Sequence, residues 1–507
     1  MRNSTIILLI FFCGFIHAQK QAYNTINGNC WQYYEGGCDE PKANIIIKFN
    51  DDSLEQIIEP VDLNLATNYS RAAFSDTAGN LVFASNGWRL VNSLGEILAP
   101  KLWLDSMPHP DDSPDSTMLL VNMGPLFLDD PGDSDKAYLF YGQYKRVMNG
   151  NNQWMRADLF FTYAYLDIPS QSLINKNNVV LTDTTNSGDM QACRHANGRD
   201  WWLIKPGLRE NQFYSGLLDP SGISMEFFEI DEITNRFQAG TFSQFSYDGT
   251  KYFHFTGTYT RTMFVYDFDR CNGTLSNPIL IDMTDSLMSG EHNAFALSPD
   301  GTKIYIRKSN YAPLFPQIQG LLQYDLLTES YTYLARYAGA PNAAPNGKSI
   351  LISTSYLDEN NLIVHSIGEI ENPNEPGLAC NLVAQKYPLA NNPTYVMPSN
   401  WANFKLGALF GSPCDTLSLG FVDNVKDPVK LLVYPNPNKG QLYVQLKNHG
   451  EKAKLSIRNL QSAIIYTSDF YLSHHINLEQ LDLSIGLYFI EVLVSDDVFR
   501  EKFIYTK

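Results

Sequence analysis

The stretch Leu297-Ser298-Pro299-Asp300-Gly301-Thr302-Lys303-Ile304-Tyr305-Ile306 decides the fold, because it recurs. It appears as Phe245-Ser246-Tyr247-Asp248-Gly249-Thr250-Lys251-Tyr252-Phe253. Looser copies are Ala344-Pro345-Asn346-Gly347-Lys348-Ser349-Ile350-Leu351-Ile352 and His195-Ala196-Asn197-Gly198-Arg199-Asp200-Trp201-Trp202. A first copy is Phe74-Ser75-Asp76-Thr77-Ala78-Gly79-Asn80-Leu81-Val82-Phe83, and Asp133-Ser134-Asp135-Lys136-Ala137-Tyr138-Leu139-Phe140 falls in the gap after it. The last three steps between glycines (198, 249, 301, 347) are 51, 52 and 46 residues. Asp-Gly and Asn-Gly supply the positive φ of a tight turn, so each copy reads as a turn feeding a strand.

Those strands carry large apolar residues without alternation, although a strand with one wet face should alternate. Both faces are therefore expected to be covered. A second hairpin follows in two units. Thr262–Asp267 turns through Asn272-Gly273 into Leu275, and Gly320–Asp325 turns through Thr328-Glu329-Ser330 into Tyr331. Two hairpins in about 50 residues make a four-stranded sheet, and repeated sheets buried on both faces stack radially as propeller blades. The expected fold is all-β. Six units lie near positions 79, 135, 198, 249, 301 and 347, and the strand at 43–49 combines with Tyr395–Leu409 into a seventh blade. Seven blades are favoured and six stay open.

Composition agrees. The 507 residues include 29 Tyr and 29 Phe, residue types suited to pleated, half-buried surfaces. Hydrophobic residues make up 44% and charged ones 18%, enough apolar surface for a large core. With 54 acidic against 37 basic side chains, the net charge of −17 speaks against nucleic acid and anionic lipid, which need clustered Lys and Arg.

At the amino end, Arg2 precedes an apolar run from Ile6 to Ile16, too short to span a bilayer as a helix. Ile16-His17-Ala18 offers a cleavage site, so residues 1–18 read as a signal peptide. Residues 19–42 are an N-terminal segment, 43–415 the propeller, 416–430 a linker and 431–507 a second domain. No integral membrane segment is expected in the mature chain. Six cysteines remain after cleavage: Cys30, Cys38, Cys193, Cys271, Cys380 and Cys414. An even count in an exported chain reads as disulfides. Cys30 with Cys38 closes a short loop, Cys380 with Cys414 brackets the end of the repeats, and Cys193 with Cys271 is then the remainder. Free buried thiols are the alternative.

The Ser-Pro-Asp-Gly-Thr-Lys unit resembles the WD-repeat-like propeller repeats of bacterial exported proteins. His195 to Trp202, Phe268-Asp269-Arg270-Cys271-Asn272-Gly273-Thr274-Leu275-Ser276 and Ser85-Asn86-Gly87 with its flanks resemble one such group from Bacteroidetes. This resemblance covers roughly residues 40–415 and implies a fold more than an activity.

The segment 431–507 holds 8 basic and 8 acidic residues, so the acidity belongs to the propeller. Short alternating runs at 442–446, 454–457, 463–466, 487–494 and 498–505 suggest a small Ig-like β-sandwich. Val433-Tyr434-Pro435-Asn436-Pro437 with Gly440, then Ile476-Asn477-Leu478, then Gly486-Leu487-Tyr488 and a terminal Lys507 resemble the type A C-terminal sorting domain of type IX secretion cargo. One departure is Leu460-Gln461-Ser462, where that family usually has a glycine in the turn. The resemblance implies the type IX translocon as partner, periplasmic transit, and release or attachment at the outer cell surface.

No His-Glu-x-x-His helix, Gly-x-Ser-x-Gly elbow or phosphate loop occurs. Glu291-His292 precedes an innermost strand and His195 holds a similar place in another copy, which makes all three candidate ligand-binding residues at the channel; polar residues satisfied at a turn are the competing reading. Two acidic loops, Asp111-Asp112 with Asp115 and Asp129-Asp130 with Asp133 and Asp135, raise calcium, but neither has EF-hand spacing and solvated loops explain them; no other cofactor is implied. Trp201-Trp202 could stack on sugar, yet neighbours on a strand point to opposite faces, so packing explains at least one. The expected function is a non-catalytic binding or adhesion module with a protein or glycan ligand. The alternative is a propeller hydrolase or lactonase with carboxylates or calcium at the central channel.

Overall fold

A computed structural model describes residues 22–506 except 24–43, 50–53, 62–64, 66–71, 77–79, 105–123, 149–153, 235, 239–240, 257–261, 283–290, 310–319, 337, 345–346, 358–362, 389–401, 410, 415–429, 437, 448–451, 460–462, 472, 482 and 495–496. The chain forms two compact units, residues 1–418 and 419–507.

The repeated turn builds the first unit. In four copies one geometry returns: the N–H of His195, Ser246, Ser298 and Ala344 donates to the carbonyl of Asp200, Lys251, Lys303 and Ser349, at 2.8 to 2.9 Å. The glycine at the fourth position of each donates its N–H back to the first residue at 2.9 Å, with φ of +67° to +77°. Where the sequence reads Ser-x-Asp-Gly-Thr-Lys, side chains complete the turn. Ser246 and Ser298 Oγ donate to Asp248 and Asp300 at 2.6 Å, and the same carboxylates accept the N–H of Thr250 and Thr302 at 3.0 Å. The Thr250 and Thr302 hydroxyls also donate to these carboxylates at 2.9 Å, so each accepts three local donors in an Asx-type turn, which explains why Asp occupies that position.

Each turn joins an innermost strand to the next strand outward. Residues 191–229, 242–282, 291–336 and 338–388 each form a four-stranded antiparallel sheet in sequence order. Residues 72–99 form another such sheet, and 126–181 a larger one that is joined by Thr185–Asn186. A three-stranded sheet of Ala22–Tyr23, Asn44–Phe49 and Leu54–Val61 comes first. These are seven blades, numbered 1 to 7 along the chain. Innermost strands lie side by side: Ala22–Tyr23 beside Ala72–Ser75, that beside Leu126–Asp130, and those of blades 4, 5, 6 and 7 in succession. Burial follows. Trp201–Pro206 and Gly320–Asp325 are buried at every residue, whereas the outer strand Gly222–Glu229 has no buried residue.

The seventh sheet differs from its expected composition. Asn44–Phe49 is a strand of blade 1, but its partners come from 22–23 and 54–61, so the ring begins ahead of residue 43. The described part of Tyr395–Leu409 contains no strand. It runs instead as a strap over the end of the ring that carries the turns. Phe404 packs on Phe74 of blade 2 and Trp201 of blade 4, at 6.2 and 5.0 Å between ring centroids. Asn403 Nδ2 donates to the Tyr247 carbonyl at 2.8 Å, and Leu409 N–H to the Ala196 carbonyl at 2.8 Å.

The strap also corrects the cysteine pairing. Cys414 is bonded to Cys271, with 5.6 Å between their Cα atoms, not to Cys380. The strap leaves the axis between blades 4 and 5, where Cys271 waits in the outer hairpin turn. Cys193 and Cys380 are buried free thiols, so the Cys193–Cys271 and Cys380–Cys414 pairings do not form. Cys30 and Cys38 lie outside the described residues, as do residues 1–18.

In the second unit, Lys430–Tyr434, Gln441–Lys447 and Ser473–Asn477 form one sheet, and Ile464–Phe470, Ala453–Arg458, Gly486–Val494 and Asp497–Tyr505 the other. Here burial alternates along Gly486–Val494, as a sandwich with one wet face requires. Leu442, Val444, Leu455, Ile457, Ile490 and Val492 fill its core. Among the described residues no helix is long and apolar enough to cross a membrane.

Candidate functional site

The innermost strands of blades 4 to 7 enclose an axial cavity of about 50 Å³, with Asn403 and Leu406 of the strap at its edge. Five residues before each turn glycine stand Cys193, Gln244, Ala296 and Asn342, of which all but Ala296 line it. Phe242 of blade 5 and Phe295 of blade 6 meet edge to face at 5.4 Å and form an apolar wall. No Asp, Glu, His, Lys or Arg is among the described residues of the lining. Most of its polar groups are already used: Ser246 and Ser298 in their turns, Asn403 on a carbonyl. Among the side-chain atoms of these residues that are sealed from solvent, Gln244 Oε1 and Asn342 Nδ2 have no protein partner, and Asn342 as a residue is 9% exposed.

A second polar cluster lies between blades 3, 4 and 5. Lys205 Nζ is 2.8 Å from Asp158 Oδ2 and donates to the carbonyls of Asn186 and Gly188 at 2.6 and 3.0 Å, which uses its three protons. Beside it, Ser243 Oγ lies 2.8 Å from Asp189 Oδ2 and 2.8 Å from His254 Nδ1, and His254 Nε2 lies 2.7 Å from Gln238 Oε1. These three contacts need three hydrogens. Ser243 has one, and His254 has one, because full burial drives its pKa down to about 3 and keeps it neutral. The third belongs on Asp189, whose pKa burial raises against the opposing pull of Thr241, Ser243 and Lys205. The 3.7 Å approach of Asp189 to His254 is thus no ion pair. Serine here stands between acid and imidazole, whereas nucleophilic catalysis needs imidazole in the middle. All three side chains are sealed, so the cluster is a packing device.

The residues singled out in the sequence do not converge. His195 sits in the turn after an innermost strand: its Nδ1 accepts the Asn197 N–H at 3.0 Å, its Nε2 meets the Cys271 carbonyl at 3.1 Å, and its ring packs on Trp202. Glu291 and His292 begin the innermost strand Glu291–Leu297, at the end opposite the turns. Trp201 and Trp202 do face apart. Trp201 lies under the Arg194 guanidinium at 3.8 Å and donates to Asp129, while Trp202 donates to the Arg270 carbonyl and packs against Gly273. Asp129 accepts both Arg194 and Trp201, and Asp130 accepts Tyr165 and the Gly132 N–H, which employs that loop in packing; the 109–115 loop lies outside the described residues.

In the second unit, Asn436 Oδ1 accepts the Ile504 N–H at 2.9 Å and its Nδ2 donates to the Lys502 carbonyl at 3.0 Å, so the Pro435-Asn436 turn grips the last strand. Asn438, which the sequence did not single out, is fully buried and accepts the Gly440 N–H at 2.7 Å. Gly440 has φ +127°, and Tyr488 Oη donates to the Ser484 carbonyl at 2.7 Å beside Gly486. Pro437 and Lys507 lie outside the described residues.

No curated protein matches the chain. Solved structures align loosely. Hydrazine synthase of Kuenenia stuttgartiensis is 9% identical over 53% of this chain and 66% of that one, with a TM-score of 0.31. A protein from Bacteroides uniformis, provisionally named a 6-phosphogluconolactonase, is 11% identical over 75% and 99%, with 0.37. The periplasmic gluconolactonase of Pseudomonas aeruginosa is 13% identical over 68% and 94%, with 0.33. Likeness at this level transfers no activity. Residues 432–506 match the family model of the secretion system C-terminal sorting domain, and that match leaves the ring outside it. The second unit is therefore a type IX sorting domain, and a chain that carries it is exported to the cell surface or beyond.

Proposed function

We propose that the chain is an exported, non-catalytic binding module: the sorting domain delivers it through the type IX translocon, and the propeller holds a ligand in its axial cavity. The observation that carries this reading is the lining. It offers aromatic walls and neutral amides, and among the described residues no carboxylate or imidazole to move a proton. The buried acids Asp158 and Asp189 are committed to Lys205 and Ser243. A ligand taken there must be neutral, because a charge buried without a partner is costly.

The test is a screen of the mature full chain against glycans and exported proteins, with melting temperature as readout, beside hydrolysis assays on lactones and glycosides. The proposal expects a ligand-dependent rise without turnover. Turnover that survives purification would replace it with the hydrolase or lactonase reading.

A further inference from the structure

The outermost strand of a blade presents a row of unpaired N–H and C=O groups, and proteins blunt such rows with proline, lysine, bulges, short length or a cover. Among the described residues, six of the seven blades carry one of these devices. Leu54–Val61 of blade 1 contains Pro60, and Thr274–Asp282 of blade 5 contains Pro278 beside Asn277, whose φ is +51°. Ile97–Ala99 of blade 2 has three residues. Ser172–Leu181 of blade 3 and Leu382–Pro388 of blade 7 carry Lys176 and Lys386, and both pair inward with register shifts. The turn Gly377–Cys380 packs on Ser330–Arg336 of blade 6, where a Cβ on Gly377 would lie 3.5 Å from Thr332 Oγ1.

Gly222–Glu229 of blade 4 has none of them. All eight residues pair with Gln212–Asp219 without a register shift, none is Pro, Lys or Arg, and among the described residues no strand pairs with the outer side. Every second residue of an antiparallel ladder turns its N–H and C=O away from its partner strand, so half of these eight point outward. The side chains say what fits there. Ile223 and Met225 pack inward on the ring, while Phe227 is 52% exposed and leans on Tyr214 at 5.2 Å between centroids. Glu226 and Glu229 are exposed, and Glu229 accepts the neutral Gln212 amide at 2.9 Å, which leaves its charge in place. From residue 219 to 232 the chain has five acidic residues, Asp219, Glu226, Glu229, Asp231 and Glu232, and no Lys or Arg. Glu226-Phe227-Phe228-Glu229 reads alike in both directions, so a second copy paired antiparallel across it would set glutamate against glutamate, which is destabilising. The complement is basic–apolar–apolar–basic. We propose that the outer edge of blade 4 is a β-augmentation site for an extended, cationic segment of a partner protein, which adds a fifth strand with Lys or Arg opposite Glu226 and Glu229 and an apolar side chain against Phe227. This edge is separate from the axial cavity, so neither reading depends on the other.

The experiment titrates the full chain with a fluorescent octapeptide, Ser-Thr-Lys-Val-Val-Lys-Thr-Ser, and follows both anisotropy and backbone amide exchange. Two control peptides carry Glu in place of both lysines, or Pro in place of the first valine, which keeps the charge and removes a strand N–H. The proposal expects the parent peptide to bind, both controls to fail, and exchange to slow at 222–229 but not at 274–282. Phe227→Ser, and Glu226→Lys with Glu229→Lys, should each weaken binding about tenfold while melting as wild type, because the replaced side chains are exposed. The exchange measurement needs no variant. Equal binding of the proline peptide would reduce the edge to general charge attraction and overturn the proposal. So would bound peptide without slowed exchange at 222–229, and so would no binding at all. Exchange there that slows with protein concentration alone would give the edge to a second copy instead.

Discussion

Gly301 and Gly347 occupy the same turn position with φ of +69° and +67°, yet their surroundings differ. A Cβ on Gly301 would meet nothing nearer than Ser246 Cβ at 3.9 Å; one on Gly347 would enter the Tyr247 ring at 2.1 Å. Gly301→Ala should therefore cost about 1–2 kcal/mol, the left-handed strain alone, and Gly347→Ala about 3 kcal/mol, because overpacking is added. Urea melts of the two variants measure the difference, and equal costs would refute the steric account. The hydrogen count around Ser243 gives a second prediction. Asp189→Asn keeps a donor toward Ser243 and should melt close to wild type at pH 7, whereas Asp189→Ala should lose about 2 kcal/mol. His254 sets a pH dependence. Its folded pKa is depressed to about 3 from 6.5, so its contribution is whole above pH 6.5 and is lost as pH falls toward 3. The raised Asp189 works the other way, because its folded form holds its proton to higher pH. Wild type should thus lose stability below pH 6.5 more steeply than His254→Gln, and parallel curves would contradict the neutral imidazole. Of all this the sequence announces the turns, since Asp-Gly carries its own backbone preference. It conceals Gln244 and Asn342, because amides belong to no catalytic motif. Aligning the repeats on their glycines would have exposed them, as polar residues at a position that holds Cys193 and Ala296 elsewhere.

Strands were legible wherever apolar runs followed a turn, and the runs lacking alternation became blades while the alternating ones became the sandwich. The strap was not legible. It has no period, and its meaning lies in contacts with Phe74, Trp201, Tyr247 and Arg270, up to more than 300 residues away. That separation also hid the disulfide: pairing by nearness in sequence put Cys414 with Cys380, while the strap carries it to Cys271. A cross-link that closes 143 residues constrains the unfolded chain strongly, on the order of 2–4 kcal/mol. Cys271→Ser with Cys414→Ser should lower the melting temperature and open the segment 402–414 to protease before the blades. Cys193 and Cys380 should stay unlabelled by thiol reagents in the native chain; burial holds the Cys193 thiol up near a pKa of about 12. Simultaneous loss of strap and blades to protease would show that the strap is no separate closure.

Charge and burial divide the whole molecule between two tasks. The sorting unit is neutral and has its own core, from Leu431 to Tyr505, so its strands need no support from the ring. The ring in turn finishes with its strap and the bond at Cys414, before the segment 415–429 begins. A chain cut after residue 418 therefore keeps every blade, the strap and the disulfide. It should fold, melt near the full chain's temperature, and bind whatever the axial cavity binds. What it loses is the segment 432–506 that matches the sorting-domain family, with the Asn436 grip on its last strand. Expressed from residue 1 in a host with type IX secretion, the truncated chain should collect in the periplasm, folded and oxidised at Cys271–Cys414. Fractionation separates the outcomes. Truncated chain at the cell surface would remove the sorting role from 432–506, whereas periplasmic chain that is unfolded would show that the ring depends on the second unit after all.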